Sequence, residues 1–415
     1  MVIPVRNVEP WLPEALDSIL AQEGIDLEVI AVDNGSTDRS PAILADYAHR
    51  DPRVVVLSHA AGGTGGARNV GVARATGELL TFADPDDIVT PGAYALMASQ
   101  LRDSGSDFVV GHFVRLHPDG SQSSLPWADR VHGQRQEQIR LDDLPEIVGD
   151  VFVWNKVFRT PFWRQHSLKF PENTRYQEQP TITEAFLRAG SFDVISDLVY
   201  LWRVREDGSS VTQGRDDLRN LRDRVTTKTD TWALVQELAT PATHEVFRNR
   251  VMPGDMHHYF AAVPGCTQEY WDELRDMVLA LWDGGFAQTS VLPIQRVQGW
   301  LVEQNRRDCA AAVASYLRER RMVPVGATTD GTGLALLLDD LGVDEVPEDV
   351  RRLTPAEWGW TTSVKRTLTW RGPREQIQVQ VQRAGWSGVA STVDATTVTV
   401  EVPTPTGTAH LTAPL

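Results

Sequence analysis

Short apolar runs alternate with amphipathic segments along the N-terminal part of the chain. The apolar runs are rich in β-branched residues and bounded by polar residues or glycine, as in buried strands, and they are MVIPV, LEVIAVD, RVVVLS and ELLTFAD. The segments between them repeat apolar residues at helical spacing, and they are EPWLPEALDSILAQ, DRSPAILADYAHR and ARNVGVARAT. This alternation predicts a parallel sheet wrapped by helices, in which ligands bind beyond the carboxyl ends of the strands.

The pattern changes twice further along the chain. Long helical patterns such as EYWDELRDMVLALWDGG and RVQGWLVEQNRRDCAAAVASYLRERR follow Arg215, whereas EQIQVQVQ and TTVTVEV alternate apolar and polar residues strictly. Strict alternation is typical of half-exposed antiparallel strands. We therefore predict an α/β domain over residues 1–214, a helical linker over 215–321 and a β-rich module over 322–415. A β module this short is expected to pack on the helices or on a second copy of itself.

The composition narrows the class of protein. The chain has 415 residues, 41% apolar and 23% charged, which is ordinary for a soluble globular protein. No run approaches the roughly 20 apolar residues of a membrane helix, and MVIPVRNVEPW does not predict a signal peptide. Two cysteines exclude a disulfide scaffold, and the formal charge of −16 argues against nucleic-acid binding. We expect a cytoplasmic protein, with association at the inner face of the membrane left open.

Three aspartates stand within four positions after the fourth predicted strand, in the segment FADPDDIV. Clustered carboxylates repel one another unless a cation or basic side chains neutralise them. Mg²⁺ and Mn²⁺ prefer oxygen ligands and commonly use one or two carboxylates together with substrate phosphates. The segment therefore predicts a divalent cation that carries a phosphorylated ligand. An Asp-rich turn before the next helix is the alternative, since Asp and Pro are ordinary turn residues.

Two further polar segments follow predicted strands. In VDNGSTDRS, Asp33 ends the second strand and its carboxylate can accept hydrogen bonds from a ribose or a base. The same segment is equally typical of a turn and a helix cap. GGTGGARNVG lacks the spacing of a dinucleotide-binding motif, yet glycines followed by Arg68 suit a phosphate or sugar close to the backbone.

Taken in order, VIPVRNVEPWLPEALDSIL, VDNGSTDRS and GGARNVGVARATGELLTFADPDD resemble family 2 glycosyltransferases, whose Rossmann-like α/β domain is called the GT-A fold. The resemblance implies inverting transfer from a nucleotide-activated sugar, usually a UDP-sugar, with a divalent cation as cofactor. It implies that Pro4, Arg6 and Asp33 flank the nucleotide and that Arg68 lies at the donor. Arg6 departs from the aromatic residue often found at its position.

The aspartates occupy the family's DxD motif. By resemblance, Asp84 and Asp86 hold Mn²⁺ or Mg²⁺, and Asp86 lies nearest the metal. Further along, FPENTRYQEQP resembles the segment in which an acidic pair supplies the general base, but the pair here is Gln177 and Glu178. Glu178 is therefore the predicted base, and a surface glutamate in an impaired site is the alternative.

Two more segments continue the resemblance. LWRVREDGSSVT resembles the segment that closes over the diphosphate, so Arg203, Arg205 and Ser209 would donate hydrogen bonds to phosphate oxygens. Surface arginines on a strand are the alternative. In VWNKVFRTPFW, Trp154 would either stack on a sugar or lie in the core.

The three-part layout resembles the wall teichoic acid glycosyltransferases, which implies a polyol-phosphate acceptor and a homo-oligomer held by the C-terminal region. The donor would be a UDP-hexose or a UDP-N-acetylhexosamine. A non-catalytic scaffold of the same fold that binds a glycan or polymer is the alternative, and Gln177 in place of an acid is its support. A nucleotidyltransferase ranks last, because its glycine-rich, lysine-bearing loop after the first strand is absent.

Overall fold

We describe the protein from a computed structural model. It describes residues 1–205, 214–319, 335–336, 338 and 341–353, together with the backbone of 327–329, 334 and the strands between 362 and 414. The chain forms two compact units, Met1–Met252 and Pro253–Leu415. Among the described residues, no helix is both long and apolar enough to span a membrane.

The first unit begins with three parallel strands that pair in chain order. They are β1 (Val2–Val5), β2 (Val29–Asp33) and β3 (Val54–Ser58), and the helices α1 (Leu12–Leu20), α2 (Ser40–Arg50) and α3 (Gly63–Arg74) follow them in turn. The predicted strands and helices are thus confirmed, except that α3 begins inside the glycine-rich segment. The register places Val5 beside Asp33, so the carboxyl ends of β1 and β2 lie at one edge.

A mixed sheet continues the unit, joined to β1 by a bridge between Val2 and Phe82. Its strands are β4 (Leu79–Thr81), β5 (Ile88–Val89), β6 (Phe108–Leu116), β7 (Gln122–Ser123), β8 (Gln136–Ile139), β9 (Lys156–Arg159) and β10 (Phe192–Arg203). The order is β4-β9-β6-β10-β5, with β7 on β6 and β8 on β10, and β6 runs parallel to β10. The acidic segment therefore leaves β4 next to β1 and returns beside the end of β10.

Among the residues that the structure describes in this unit there are six more helices: α4 (Ala93–Ser104), α5 (Pro126–His132), α6 (Thr160–Gln165), α7 (Glu178–Arg188), α8 (Leu218–Leu238) and α9 (Pro241–Val246). Because α8 packs against α7, the first unit runs on past residue 214. The predicted division into three domains remains a prediction. Short 3-10 or π turns lie at Leu141–Asp143, Pro145–Gly149 and Phe247–Val251.

A charged cluster lies inside the first unit. Asp150 accepts from Asn155 Nδ2 at 2.8 Å, lies 3.0 Å from His132 Nε2 and pairs with Lys156 Nζ at 3.0 Å. The side chains of Asp150 and Lys156 are fully buried. Burial alone would raise the pKa of Asp150, but the Lys156 ammonium and the hydrogen bonds hold it at about 2. Burial lowers the pKa of Lys156 to about 8, so both groups are charged at neutral pH.

Asp150→Asn is expected to lower the free energy of unfolding by about 3 kcal/mol, because the Lys156 charge is left buried without a countercharge. Urea unfolding at pH 7 measures the change. Asp103→Asn is the matched control, since Asp103 is exposed on α4 and should change stability by less than about 0.5 kcal/mol. Equal stability of the two variants would contradict the proposed cost of the unpaired lysine.

The second unit is helical at first and then β-rich. Its helices are α10 (Met252–Met256, which begins at the unit boundary), α11 (Gln268–Trp282), α12 (Pro293–Glu303), α13 (Arg307–Glu319) and α14 (Glu348–Arg351), with 3-10 turns at His257–Ala262 and Phe286–Gln288. The long pattern RVQGWLVEQNRRDCAAAVASYLRERR is thus two helices rather than one. Asn305 lies between them with φ at 58°, and its side-chain oxygen accepts from Trp271 Nε1 at 2.8 Å. That left-handed residue ends α12 and redirects the chain.

Antiparallel strands complete the unit. They are β11 (Ala327–Thr329), β12 (Leu334–Leu336), β13 (Arg352–Leu353), β14 (Thr362–Thr369), β15 (Gln376–Arg383), β16 (Trp386–Val389), β17 (Thr392–Val393), β18 (Thr397–Thr404) and β19 (Gly407–Pro414). They form three sheets, β11-β12-β13, β14-β15-β16 and β17-β18-β19. The strictly alternating segments lie in β15 and β18, so the predicted antiparallel pairing is confirmed.

Candidate active site

The carboxyl ends of β1, β2 and β4 bring the first predicted site residues to one edge of the sheet. Pro4 is buried within β1, Arg6 is exposed just after it, and Asp33 ends β2 half-buried. The Asp33 carboxylate accepts from the backbone N–H of Ser36 at 3.2 Å, which fixes the turn after β2. This edge is where a parallel sheet binds its ligand, and the roles of the three residues at a nucleotide stay predictions.

Each carboxylate of the acidic segment has a partner. Asp84 Oδ1 lies 2.7 Å from Arg68 Nη2, and Asp86 Oδ2 lies 2.7 Å from Arg205 Nε. Asp87 is buried and accepts from the backbone N–H of Arg203 at 2.7 Å. The two arginines neutralise the predicted metal ligands, and the backbone donor orients Asp87.

Burial is the main influence on two of these acids. Burial raises the pKa of Asp84, and the neighbouring Arg68 guanidinium opposes that rise. Burial, followed by repulsion from Asp86, raises the pKa of Asp87 well above its ordinary range. The Asp84 backbone N–H also donates to Tyr200 Oη at 2.9 Å, so β10 holds the start of the acidic segment. The segment is a rigid, protein-held turn with Asp84 and Asp86 facing basic groups.

We asked whether the residues of this turn fit the implied divalent cation. The described residues contain no cluster of three or more His, Cys, Asp or Glu side chains able to form an all-protein metal cage. The ion pairs with Arg68 and Arg205 use Oδ1 of Asp84 and Oδ2 of Asp86, which leaves the second oxygen of each carboxylate outside these two pairs. Two carboxylate oxygens suit Mg²⁺ or Mn²⁺ when substrate phosphates complete the coordination. The residues therefore fit a cation that arrives with a diphosphate.

Arg68 connects the acidic turn to the predicted base. Its guanidinium is buried, with Nη1 donating to Gln177 Oε1 at 2.8 Å and Nη2 donating to Asp84 at 2.7 Å. Glu178 follows directly as the first residue of α7 and is partly buried, not a freely exposed surface glutamate. Burial raises the pKa of Glu178, whereas Arg68 lowers it. Arg68 thus links Asp84 of the acidic turn to Gln177, the residue directly before Glu178.

The turn into α7 is held from the side of α8. Tyr176 has φ at 60°, a strained conformation for an aromatic residue. Its hydroxyl donates to Asn220 Oδ1 at 2.8 Å, and the Arg224 guanidinium lies 3.6 Å from its ring centroid. We did not predict these α8 residues from the sequence, because their helical pattern carries no motif. They fix the direction in which Gln177 and Glu178 leave the turn.

The glycine-rich segment makes room for another part of the backbone. A Cβ on Gly65 would lie 2.0 Å from the backbone oxygen of Pro171. The backbone N–H of Asn173 donates to the Gly62 oxygen at 2.9 Å, and Asn69 Nδ2 donates to the Phe170 oxygen at 2.9 Å. The expectation that the segment admits a phosphate or sugar stays a prediction, and Gly65 has a separate, structural reason to be glycine. The glycines let the segment that precedes Glu178 pack onto the start of α3.

Gly65→Ala is expected to lower the free energy of unfolding by about 2 kcal/mol, because the new methyl group overlaps the Pro171 carbonyl. Guanidinium unfolding measures the change. Gly254→Ala provides the control, since its Cβ would meet nothing within 4 Å. If Gly65→Ala is as stable as Gly254→Ala, the close packing of these two segments is not required for folding.

Arg203 and Arg205 both reach the acidic turn. Arg203 Nε donates to the Asp86 backbone oxygen at 2.7 Å, and its Nη2 pairs with Glu14 at 2.6 Å. Besides pairing with Asp86, the Arg205 guanidinium lies 4.5 Å from the ring centroid of Trp11. Two cationic groups therefore flank the predicted metal ligands. Ser209 lies outside the described residues, and its role stays a prediction.

Trp154 belongs to the core. It is 4% exposed and stacks on Tyr200 with ring centroids 4.3 Å apart at 13°. The core alternative for this tryptophan is thus correct. Because Tyr200 Oη in turn accepts from Asp84, Trp154 supports the acidic turn from behind. Sequence reasoning missed Tyr200, since a tyrosine within a strand gives no sign of its distant partner.

Comparison with known proteins agrees with this geometry. Residues 1–164 match the model of the family described as glycosyl transferase family 2. An uncharacterized glycosyltransferase, EpsJ of Bacillus subtilis, is 31% identical over 216 residues, which are 51% of this chain and 62% of EpsJ. The poly(ribitol-phosphate) beta-glucosyltransferase of Bacillus spizizenii is 28% identical over 217 residues, or 51% of this chain and 33% of that protein. The chain thus spans less than two thirds of either relative.

Solved structures extend the likeness beyond this region. The crystal structure of TarS from S. aureus has a TM-score of 0.68 at 15% identity and covers 99% of this chain and 76% of TarS. TarS 1–349 in complex with UDP-GlcNAc has a TM-score of 0.57 at 19% identity, covering 83% of this chain and 97% of that one. At these identities the likeness concerns the fold. It confirms the predicted GT-A α/β domain followed by helices and C-terminal antiparallel strands.

Proposed function

We propose that the protein is a metal-dependent, inverting glycosyltransferase, and the match of residues 1–164 to the model of glycosyl transferase family 2 is the starting point. In the proposed reaction a hexose or N-acetylhexosamine passes from a UDP-sugar to a hydroxyl of a cell-surface polymer such as teichoic acid. The observation that carries the proposal is the position of Arg68. Its guanidinium joins Asp84 of the DxD motif to the turn that bears Glu178.

The side chains divide the chemistry between them. Glu178 takes the proton of the acceptor hydroxyl while that oxygen attacks the anomeric carbon opposite the diphosphate, so the configuration inverts. The bond from this carbon to the diphosphate oxygen breaks in the same step, and Arg203 and Arg205 stabilise the negative charge that develops there. A Mn²⁺ or Mg²⁺ held by Asp84 and Asp86 would supply further positive charge to the diphosphate.

The substrates are proposed by similarity. TarS, which shares the fold, has been solved with UDP-GlcNAc, and this favours a UDP-sugar as donor. A poly(ribitol-phosphate) beta-glucosyltransferase is among the relatives, and this favours a polyol-phosphate polymer as acceptor. A cytoplasmic location, contact with the inner face of the membrane and a homo-oligomer through the C-terminal strands complete the proposal.

Titration calorimetry with UDP and a panel of UDP-sugars, with and without Mn²⁺, tests the donor site. Binding that requires Mn²⁺ is expected, with one UDP-sugar preferred. Hydrolysis of that UDP-sugar without an acceptor would further count against a scaffold that only binds glycans. Failure of every nucleotide to bind would overturn the proposed transferase and favour the scaffold.

Turnover is expected to fall on acidification at a higher pH than an ordinary glutamate would cause. Only the ionised Glu178 can accept a proton, and burial raises its pKa above the usual 4.5, with partial opposition from Arg68. The test is kcat against pH at saturating donor and at two Mn²⁺ concentrations. If protonation of Glu178 lowers kcat, the pH at which kcat falls is the same at both Mn²⁺ concentrations. If loss of the metal lowers kcat, that pH shifts with the Mn²⁺ concentration. Constant kcat down to pH 4.5 would contradict the assignment.

A further inference from the structure

A strip of partly exposed aromatic rings lies on one face of the sheet in the first unit. We call Trp127, Phe152, Trp202 and Arg115 the aromatic strip. The centroids of Trp127 and Phe152 are 6.2 Å apart, and those of Phe152 and Trp202 are 5.3 Å apart. The Arg115 guanidinium lies 5.2 Å from the Trp202 ring centroid, and the two residues are paired across β6 and β10. The rings and the guanidinium form one continuous surface.

The aromatic strip is connected to the candidate active site through two buried rings. Phe152 stacks on Trp154 with centroids 4.7 Å apart at 20°, and Trp154 stacks on Tyr200. The hydroxyl of Tyr200 accepts from the backbone N–H of Asp84. Trp202 is followed in β10 by Arg203, whose side chain leaves the opposite face of the strand and donates to the Asp86 backbone oxygen. The aromatic strip and the site that holds Asp84 and Asp86 therefore lie at the same end of β10.

Arg115 differs from the other arginines near the site. Arg68, Arg203 and Arg205 each pair with a carboxylate. Within the part of the chain that the structure describes, Arg115 has no carboxylate partner and contacts the ring of Trp202 instead. A partly buried guanidinium in a chain with a formal charge of −16 would ordinarily gain from such a partner. Its charge is available to an anionic ligand.

We propose that the aromatic strip binds the acceptor, as a phosphodiester-bearing segment of a polyol-phosphate polymer. Arg115 pairs with a phosphate of the polymer, while Trp202 and Phe152 pack against the C–H faces of the adjoining polyol or sugar unit. The role of the strip as an acceptor site rests on the proposed glycosyl transfer. Binding of the polymer to the strip does not itself require turnover. A neutral glycan would use the rings and leave the Arg115 charge unmatched, so the anionic acceptor fits better.

Arg115→Gln tests the strip directly, because the side chain is partly exposed and its loss should not prevent folding. Calorimetry on the full chain, without donor, measures affinity for a synthetic ribitol-phosphate oligomer. We expect about tenfold weaker binding for Arg115→Gln, partial recovery in Arg115→Lys, and wild-type affinity in Arg50→Gln. Arg50 is the matched control, since it lies 4.4 Å from the Tyr47 ring centroid on α2 and pairs with Asp46.

The KM values and the salt dependence of oligomer binding provide a second test. In Arg115→Gln the KM for the oligomer should rise about tenfold while the KM for the UDP-sugar stays unchanged, and the affinity for the oligomer should depend less on salt than in the wild type. Equal oligomer affinity in Arg115→Gln and the wild type, or no oligomer binding at all, would overturn the proposal. An equal loss of affinity for an uncharged glycan would also overturn it, because the charge would then play no part. Absence of UDP-sugar binding would instead refute the proposed transfer alone.

Discussion

Glu178→Gln is expected to lower kcat roughly a thousandfold while leaving the affinity for UDP unchanged. Glutamine keeps the size and burial of the side chain at the start of α7 but cannot accept the proton of the acceptor hydroxyl, and a general base contributes about 10²–10⁴ to the rate. Donor affinity should survive, because Asp84 and Asp86 are paired with Arg68 and Arg205 and do not depend on the Glu178 charge. Steady-state kinetics and UDP calorimetry on the same preparation measure the two quantities.

Glu172→Gln is the control for this experiment. Glu172 lies in the same segment and is exposed, so its kcat should stay within about twofold of the wild type. A Glu178→Gln enzyme with normal kcat would refute the assignment of the base. If Glu178→Gln lowers UDP affinity as well as kcat, Glu178 has a structural role in the donor site. That conclusion requires that the thermal stability of the variant be unchanged, which excludes misfolding.

The sequence predicted most strands and helices of the first unit because each of them is determined by residues that are close together in the chain. Apolar runs with β-branched residues became β1 to β4, and the aspartates that follow the last of them lie at the expected edge of the sheet. Similarly, α2 begins at Ser40, inside the predicted segment DRSPAILADYAHR. These features depend on neighbours in the chain, so periodicity suffices to find them.

The contacts that organise the site depend on distant residues. Arg68 and Gln177 are 109 residues apart in the sequence, and only the packing of α3 against the segment before α7 brings them together. The same packing explains Gly65, whose role was taken to be room for a ligand. Local pattern cannot distinguish a glycine that admits a ligand from one that admits another part of the backbone. The resemblance supplied Arg68, but not its connection to Glu178.

Helix ends that lie away from any motif were also not predicted from the sequence. The long pattern that spans α12 and α13 keeps its helical spacing across Asn305, so periodicity alone predicted no break. The hydrogen bond from Trp271 favours the left-handed conformation there, and that bond is tertiary. In the same way, α8 reads as one more amphipathic helix, although Asn220 on it fixes the strained Tyr176 beside the predicted base.

Asp86→Asn is expected to lower kcat/KM about a thousandfold and to abolish the effect of Mn²⁺ on UDP affinity. Asparagine keeps the shape of the side chain but removes the charge of the proposed metal ligand nearest the diphosphate. Asp103→Asn, an exposed aspartate on α4, is the control and should behave as the wild type.

Binding of UDP without metal separates this assignment from a purely structural role for Asp86. In the wild type Asp86 Oδ2 pairs with Arg205 Nε at 2.7 Å, and Asp86→Asn removes a negative charge that would repel a diphosphate bound without metal. Metal-free UDP affinity should therefore be equal to that of the wild type or higher, while the metal-dependent gain disappears. If Asp86 served only to hold the turn, both affinities would fall together. If Mn²⁺ still tightened UDP binding in Asp86→Asn, the metal would be held elsewhere and the DxD assignment would be wrong.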